Sequence, residues 1–174
     1  TMPFSSKTIS SLNHGEIIFV FVPTPSKDNG EYNHKYVEQV VSKIEAHGIR
    51  KKTLVIGCTT MPYYNKKLQD RLFNRQIDVV YSPEFIQQGN IIEGLKNSDI
   101  VLMGGDNIPL LLFHIYRDIM DKEPNFNTLT HTGAEIAKIS VNCFLSMKIA
   151  FANLIGEIIT NSWEGANIKN ILDA

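Results

Sequence analysis

Short apolar runs alternate with amphipathic segments along the first two thirds of the chain. The runs are rich in β-branched and aromatic residues and cover 16–22, 53–57, 78–81 and 99–105. Such continuous runs are typical of strands buried on both faces of a parallel sheet. Between them, helical spacing of apolar residues predicts helices over 36–46, 65–73 and 108–119. We expect 121–132 to be a loop. The alternation predicts an α/β fold with a mostly parallel sheet.

Residues 133–159 form the longest apolar segment. It contains no proline and is apolar on nearly every side, which predicts a long central helix buried against several neighbours. Polar side chains occupy one wedge of about 80° on a helical wheel. They are Glu135, Lys138, Asn142, Ser146 and Asn153.

Lys138 and Asn142 need an explanation on such a helix, because an unpaired buried ammonium group is costly. In one interpretation the lysine extends to the surface and the backbone satisfies the asparagine. In the other, both side chains point at a negatively charged or oxyanionic group. The helix alone leaves both open.

Composition narrows the class of protein. The 174 residues are 43% apolar and 20% charged, with a net charge of −1, so we expect no nucleic-acid partner. Lys148, Asn153 and Glu157 interrupt the apolar run, which favours no membrane partner. The amino terminus does not look like a signal peptide, and the two cysteines form no disulfide framework. These features favour a cytoplasmic protein.

Three motifs follow predicted strands. They are Val-Pro-Thr-Pro at 22–25, Cys-Thr-Thr-Met-Pro at 58–62 and Ser-Pro-Glu-Phe at 82–85. Ligands of open α/β sheets bind at the carboxyl ends of strands. The prolines could equally close a strand, and a hydroxyl group there could cap a helix. Glu84 is a carboxylate that could accept a proton or orient water.

Two of these segments resemble a known family. Residues 134–145 are similar to A-E-x-x-K-x-x-x-N-x-F-L, the central helix of UDP-glucose/GDP-mannose dehydrogenases. A shorter pattern, G-x-x-x-x-K-x-x-x-N, also fits β-hydroxyacid dehydrogenases. Residues 82–93 are similar to [NS]-P-E-F-L-x-E-G-x-A-I-x-D of the first family, and the second has nothing comparable there. We therefore favour the first family, with UDP-glucose as the expected substrate and GDP-mannose or another UDP-hexose as the alternatives.

The resemblance implies a Rossmann-like fold, an NAD cofactor and roles for matching residues. Val22, Pro23 and Thr24 would border the NAD. Thr59 would contact cofactor, substrate and water, although a shift of one residue in the alignment would select Thr60 instead. Other catalytic or substrate-binding positions follow from the same motifs. They are Glu84, Phe85, Ile86, Gln88, Lys138 and Asn142.

The resemblance also implies a reaction and an organisation. Family members oxidise a sugar alcohol to a carboxylate with two NAD, using a cysteine nucleophile. We expect residues 1–127 to be the second half of a Rossmann-like domain and 128–174 to be a central helical region that forms a homodimer. No G-x-G turn and no matching cysteine loop occurs in the 174 residues. The chain is therefore expected to be a fragment that is inactive alone.

Gly57, Met61 and Gln88 depart from the family pattern, which has lysine, proline and glutamate there. A glutamine amide cannot accept a proton at neutral pH. These departures keep an alternative open, namely a non-catalytic dimerisation or interaction module derived from the family. A relative of the β-hydroxyacid dehydrogenases is the other alternative.

Overall fold

The strands within the described residues form one sheet, in the order β1-β2-β3-β4-β5. The computed structural model describes residues 12–85, 91–162 and 169. The strands are β1 (Ile17–Val20), β2 (Lys52–Ile56), β3 (Ile77–Tyr81), β4 (Ile100–Gly104) and β5 (Asn125–Leu129). The helices are α1 (Lys35–Ala46), α2 (Tyr64–Leu72), α3 (Ile91–Lys96), α4 (Leu110–Ile119) and α5 (His131–Ser162), and a 3-10 turn, Phe73–Arg75, follows α2.

The sheet is mostly parallel. β1, β2 and β3 pair in parallel along their length, and β4 and β5 do the same. β3 and β4 meet at a single antiparallel bridge between Tyr81 and Gly104. This arrangement, with helices between successive strands, confirms the predicted Rossmann-like α/β fold.

The central strands provide a large part of the core. In β2 and β3, Leu54, Val55, Ile56, Val79 and Val80 are fully buried, as their continuous apolar runs predict. Each fully buried side chain of this kind stabilises the fold by about 1.5–3 kcal/mol. The adjacent helices contribute apolar faces. The buried residues of α1 and α4 are Val37, Val41, Ile44, Leu112 and Tyr116.

Two elements differ from the sequence prediction. The segment 121–132, expected to be a loop, contains strand β5. β5 pairs with β4 through its backbone, while its largely polar side chains are mostly exposed, so no apolar run marks it. Helix α3 was also not predicted, because six residues are too few to establish a helical period.

The chain divides into two compact units, Thr1–Ile136 and Ala137–Ala174. The sheet and the start of α5 belong to the first. There, a Cβ atom added to Gly104 would lie 2.6 Å from the Cβ of Ala134 and 3.0 Å from the carbonyl oxygen of Thr130. The end of β4 therefore packs directly against the beginning of α5. The boundary suggested between residues 127 and 128 stays a prediction.

Most of helix α5 is exposed, which contradicts the prediction that neighbours within the chain bury it. Phe144, Met147 and Ile149 are 55–63% exposed. The helix His131–Asn161 is long and apolar enough to cross a membrane, with a mean hydropathy of 1.5. Core helices of soluble proteins can have the same length and hydropathy. The length of the apolar segment in α5 therefore does not exclude a membrane span. The absence of a membrane partner stays a prediction.

Candidate active site

A cavity of about 380 Å³ lies at the carboxyl ends of β1 and β2. It contains four of the residues that the sequence predicted as functional, namely Val22, Pro23, Thr59 and Glu84. Its full lining is Phe21, Val22, Pro23, Gly57, Cys58, Thr59 and Glu84. Thr24 is half-buried and is not part of this lining.

Backbone pairing holds the strand ends together. Gly57 N–H donates to the carbonyl oxygen of Val20 at 3.0 Å, and Ser82 N–H donates to that of Ile56 at 2.9 Å. These bonds continue the parallel ladder beyond the ends of β1, β2 and β3. The three motifs consequently meet at one edge of the sheet, as expected for parallel strands.

Phe21 forms an aromatic wall of the cavity that sequence reasoning missed. Its ring is 53% exposed and stacks on Phe19 with the ring planes 8° apart. A Cβ atom on Gly57 would lie 1.9 Å from Cε1 of the Phe21 ring, which is far too close. The glycine that replaces the family's lysine therefore leaves room for this ring. An aromatic residue at the end of an apolar strand was the available signal.

Glu135 is a buried carboxylate with four hydrogen-bond contacts. It is fully buried and accepts hydrogen bonds from Tyr63 N–H at 2.7 Å and Asn65 N–H at 2.8 Å. Asn65 Nδ2 at 2.8 Å and Thr60 Oγ1 at 3.3 Å also donate to it. Helix α2 has no side-chain cap from its own N-cap residue, and Glu135 supplies one from α5. The sequence placed Glu135 in the polar wedge without a role.

The two adjacent threonines have different environments. Thr60 is fully buried, and its hydroxyl group bonds with Glu135 and accepts from Asn65 Nδ2 at 2.8 Å. Thr59 is half-buried and lines the cavity. This difference favours Thr59 over Thr60 as the residue that contacts a ligand, an assignment that stays a prediction.

His34 holds the same loop from the other side. Met61 N–H donates to His34 Nε2 at 3.1 Å. A proline at position 61, as in the family pattern, would have no N–H and could not make this hydrogen bond. The methionine therefore allows the contact with His34. The His34 ring packs on Tyr64 with centroids 3.9 Å apart, and the Tyr64 hydroxyl donates to Glu38 at 2.7 Å.

Cys58 does not resemble an activated nucleophile. Burial raises the pKa of the Cys58 thiol, although backbone hydrogen bonds involving Val22 and Cys58 itself oppose the shift. A raised pKa keeps the thiol protonated at neutral pH. Cys143 is exposed on α5. From the sequence, neither cysteine is expected to be catalytic, and Cys143 is expected to be a small buried apolar residue. The exposure of Cys143 contradicts the second expectation, and the first stays a prediction.

The motif that begins at Ser82 is described in part. Glu84 and Phe85 are half-buried and line a second, narrow space of about 30 Å³ next to α3 and α4. The Ser82 and Tyr116 hydroxyl groups lie 2.7 Å apart. Ile86 and Gln88 fall outside the described residues, so their predicted substrate contacts stay predictions.

Lys138 and Asn142 lie one turn apart on α5, in the second compact unit. Lys138 is only 8% exposed, and Asn142 is half-buried. The low exposure of Lys138 argues against a side chain that extends into solvent. The role of Lys138 and Asn142 toward a negatively charged group stays a prediction.

Comparison with known proteins establishes the class to which this sheet and cavity belong. Residues 1–120 match the sequence model of the UDP-glucose/GDP-mannose dehydrogenase family, NAD binding domain. The chain therefore belongs to this family, which confirms both the resemblance and the predicted NAD cofactor of the domain.

Individual relatives agree with this membership. The UDP-glucose 6-dehydrogenase of Rickettsia bellii is 30% identical over 98% of this chain and 40% of its own length. UDP-D-ManNAc dehydrogenase from Pyrococcus horikoshii has a similar fold, with a TM-score of 0.82 at 20% identity over 97% of this chain and 41% of that one. GDP-mannose dehydrogenase from Pseudomonas aeruginosa also has a similar fold, with a TM-score of 0.77 at 24% sequence identity. The match covers 94% of this chain and 39% of that one. The chain thus spans about 40% of the length of its curated relatives.

The hydrogen bond between Met61 and His34 predicts a pH-dependent stability. Burial lowers the pKa of His34 below its ordinary value, Lys27 adds to the shift, and Glu38 and Glu31 oppose it. His34 therefore binds a proton more readily in the unfolded chain than in the folded one. The contribution of neutral His34 to the free energy of unfolding is complete above about pH 6.5 and decreases as the pH falls through the lowered pKa.

Urea denaturation across this range tests the prediction with His34→Gln as the comparison. Glutamine keeps an acceptor for Met61 N–H and does not titrate. We expect the wild-type free energy of unfolding to decrease more than that of the variant as the solution is acidified. Identical pH dependence in the two proteins would show that His34 does not carry this effect.

Proposed function

We propose that this chain is part of an NAD-dependent nucleotide-sugar 6-dehydrogenase that oxidises UDP-glucose to UDP-glucuronate. The observation that supports this most is the cavity at the strand ends, which both Thr59 and Glu84 line. This cavity lies in a domain that matches the NAD binding domain of the family. The choice of UDP-glucose rests on curated relatives that carry this activity. A cytoplasmic location follows from the same proposal.

We assign the nicotinamide ring of the cofactor to this cavity. Phe21, Val22 and Pro23 provide apolar lining, and Thr59 adds a hydroxyl group. When bound, NAD supplies the hydride acceptor for the oxidation. We assign Thr24, in the same Val-Pro-Thr-Pro segment, to the border of the cofactor site.

Glu84 and Thr59 have complementary chemistry for this reaction. Removing a hydride from the sugar C6 requires loss of the hydroxyl proton, which a carboxylate or an ordered water can accept. Glu84 serves as that base or orients the water, and Thr59 provides a hydrogen bond to the reacting group. Phe85, Ile86 and Gln88 contact the substrate, and the Gln88 amide cannot share the proton transfer.

Lys138 and Asn142 stabilise the negative charge that develops on oxygen during the oxidation. An ammonium group and an amide N–H₂ are suitable donors for such an oxyanion. The near-complete burial of Lys138 supports this role, because a charged group shielded from water acts more strongly than an exposed one.

The complete reaction transfers four electrons. One sugar alcohol, two NAD and one water give a carboxylate, two NADH and three protons. The family route passes through a thioester on cysteine. Because the 174 residues contain no matching cysteine loop and no G-x-G turn, we propose that residues outside this chain supply them. The chain alone is then inactive.

The protein expressed from the complete reading frame should form two NADH per UDP-glucose, measured by absorbance. Glu84→Gln should lower kcat by about 10²–10⁴-fold, because its amide cannot accept the proton. Lys138→Ala should abolish turnover, while Thr59→Ser should retain more activity than Thr59→Val.

Two results would contradict this proposal. A folded protein that forms no NADH with any nucleotide sugar would favour the alternative of a non-catalytic dimerisation module. Unchanged turnover in Glu84→Gln would instead favour a relative of the β-hydroxyacid dehydrogenases.

We also propose that α5 forms a homodimer contact with a second copy of the chain. Large apolar side chains along this helix are exposed, and a helix that is apolar on most sides requires a covering surface. The most exposed of them are Phe144, Leu145, Met147, Ile149, Phe151, Leu154 and Ile158. This exposed surface is also the observation that favours the interaction-module alternative.

Sedimentation velocity of the wild-type chain should show a dimer. Phe144→Glu should shift it to monomer, because it introduces a charge into a desolvated apolar contact. Ser146→Glu, which adds the same charge in the polar wedge, should remain dimeric. A wild-type monomer with a cooperative melt, or equal dissociation of both variants, would contradict the assignment.

A further inference from the structure

We propose that Glu135 is a positioning residue, whose buried carboxylate fixes the loop 58–63 so that Thr59 faces the cavity. The fixing of the loop follows from hydrogen bonds and does not depend on any activity. The consequence for turnover rests on the proposed function, in which Thr59 contacts the reacting group.

The contacts of Glu135 all converge on one short segment. Its carboxylate accepts from the backbone N–H groups of Tyr63 and Asn65 and from the side chains of Thr60 and Asn65. These partners lie 70–75 residues away in the sequence. Glu135 therefore connects helix α5 to a loop that is distant in the sequence, and this contact holds the loop in place.

The loop has a conformation that requires such support. Tyr63 adopts φ 70°, in the left-handed region that is unfavourable for a bulky side chain. Backbone conformations of this kind persist where surrounding interactions hold them. The short bond from Tyr63 N–H to Glu135, at 2.7 Å, is an interaction of this kind.

Thr59 lies between two points that are held in place. Before it, Gly57 N–H bonds to the carbonyl oxygen of Val20 at 3.0 Å. After it, Thr60 bonds to Glu135, and Met61 N–H bonds to His34 at 3.1 Å. Loss of the Glu135 carboxylate would remove the bond to Thr60, so that after Thr59 only the bond from Met61 to His34 would remain. The backbone of Thr59, and with it the hydroxyl group in the cavity, would then lose its fixed direction.

Glu135→Gln is the sharpest substitution because it preserves shape. Glutamine keeps one acceptor oxygen but places an N–H₂ donor among the donors of Tyr63, Asn65 and Thr60. Glu135→Asp keeps the charge and shortens the side chain by one methylene group. It provides an intermediate variant and replaces Glu135→Gln if that protein does not fold.

The first test uses Cys58, which lies in the same loop and is partly buried. In Glu135→Gln, we expect iodoacetamide to alkylate Cys58 about ten-fold faster or more, because local opening exposes the thiol. Exposed Cys143 should react at an unchanged rate. Leu112→Ala, which destabilises the core in α4, serves as the control for general loss of stability. Peptide mass spectrometry distinguishes the two cysteines.

An unchanged alkylation rate of Cys58 in Glu135→Gln would overturn the proposal. The same conclusion follows if Leu112→Ala accelerates the reaction equally under native conditions, because general unfolding would then explain the exposure.

The second test is a double-mutant cycle in the protein from the complete reading frame. Glu135→Gln should lower kcat by about 10–100-fold in the wild-type background, because misplacing a reacting group is costly. The same substitution should cost much less in Thr59→Val, where the positioned hydroxyl group is already absent. Glu135→Asp should retain part of the activity.

Equal losses in both backgrounds would show that Glu135 only stabilises the fold, and would overturn its positioning role. Absence of NADH formation by the wild type would instead refute the proposed function, and the alkylation rates would then decide whether Glu135 holds the loop.

Discussion

Burial of the Glu135 carboxylate is the constraint on which the candidate site depends. An ionised carboxylate without partners is very costly inside a protein, so its surroundings must supply donors. Here the donors come from the end of the loop after β2 and the first turn of α2. One interaction therefore satisfies a buried charge, caps a helix and connects the start of α5 to the edge of the sheet where the cavity lies.

Two of the three departures from the family motifs are matched to neighbouring residues. Gly57 leaves room for the Phe21 ring, and Met61 N–H donates a hydrogen bond to His34. The third departure, Gln88, lies outside the described residues. Such pairing indicates a loop adapted to a different set of contacts. It gives a physical reason why lysine and proline are absent without requiring loss of a ligand site.

Apolar runs predicted β1 to β4 and the α/β class, because strands that are buried on both faces are apolar at consecutive positions. β5 could not be found this way, since an edge strand held by backbone bonds carries polar side chains. Motifs at strand ends predicted sites at Thr59 and Glu84, and the structure places both residues at one cavity. The roles of Glu135 and His34 depend on contacts across 27 to 75 residues, which spacing along the chain does not reveal.

Amide hydrogen exchange of the wild-type chain tests the role of Glu135 most directly. Tyr63 and Asn65 lie at the end of a loop, yet their N–H groups bond to a buried carboxylate. We expect both amides to be protected from exchange almost as strongly as those of the core strand β3. Exchange within about ten-fold of an unstructured peptide would contradict it, because the carboxylate would then not hold the loop.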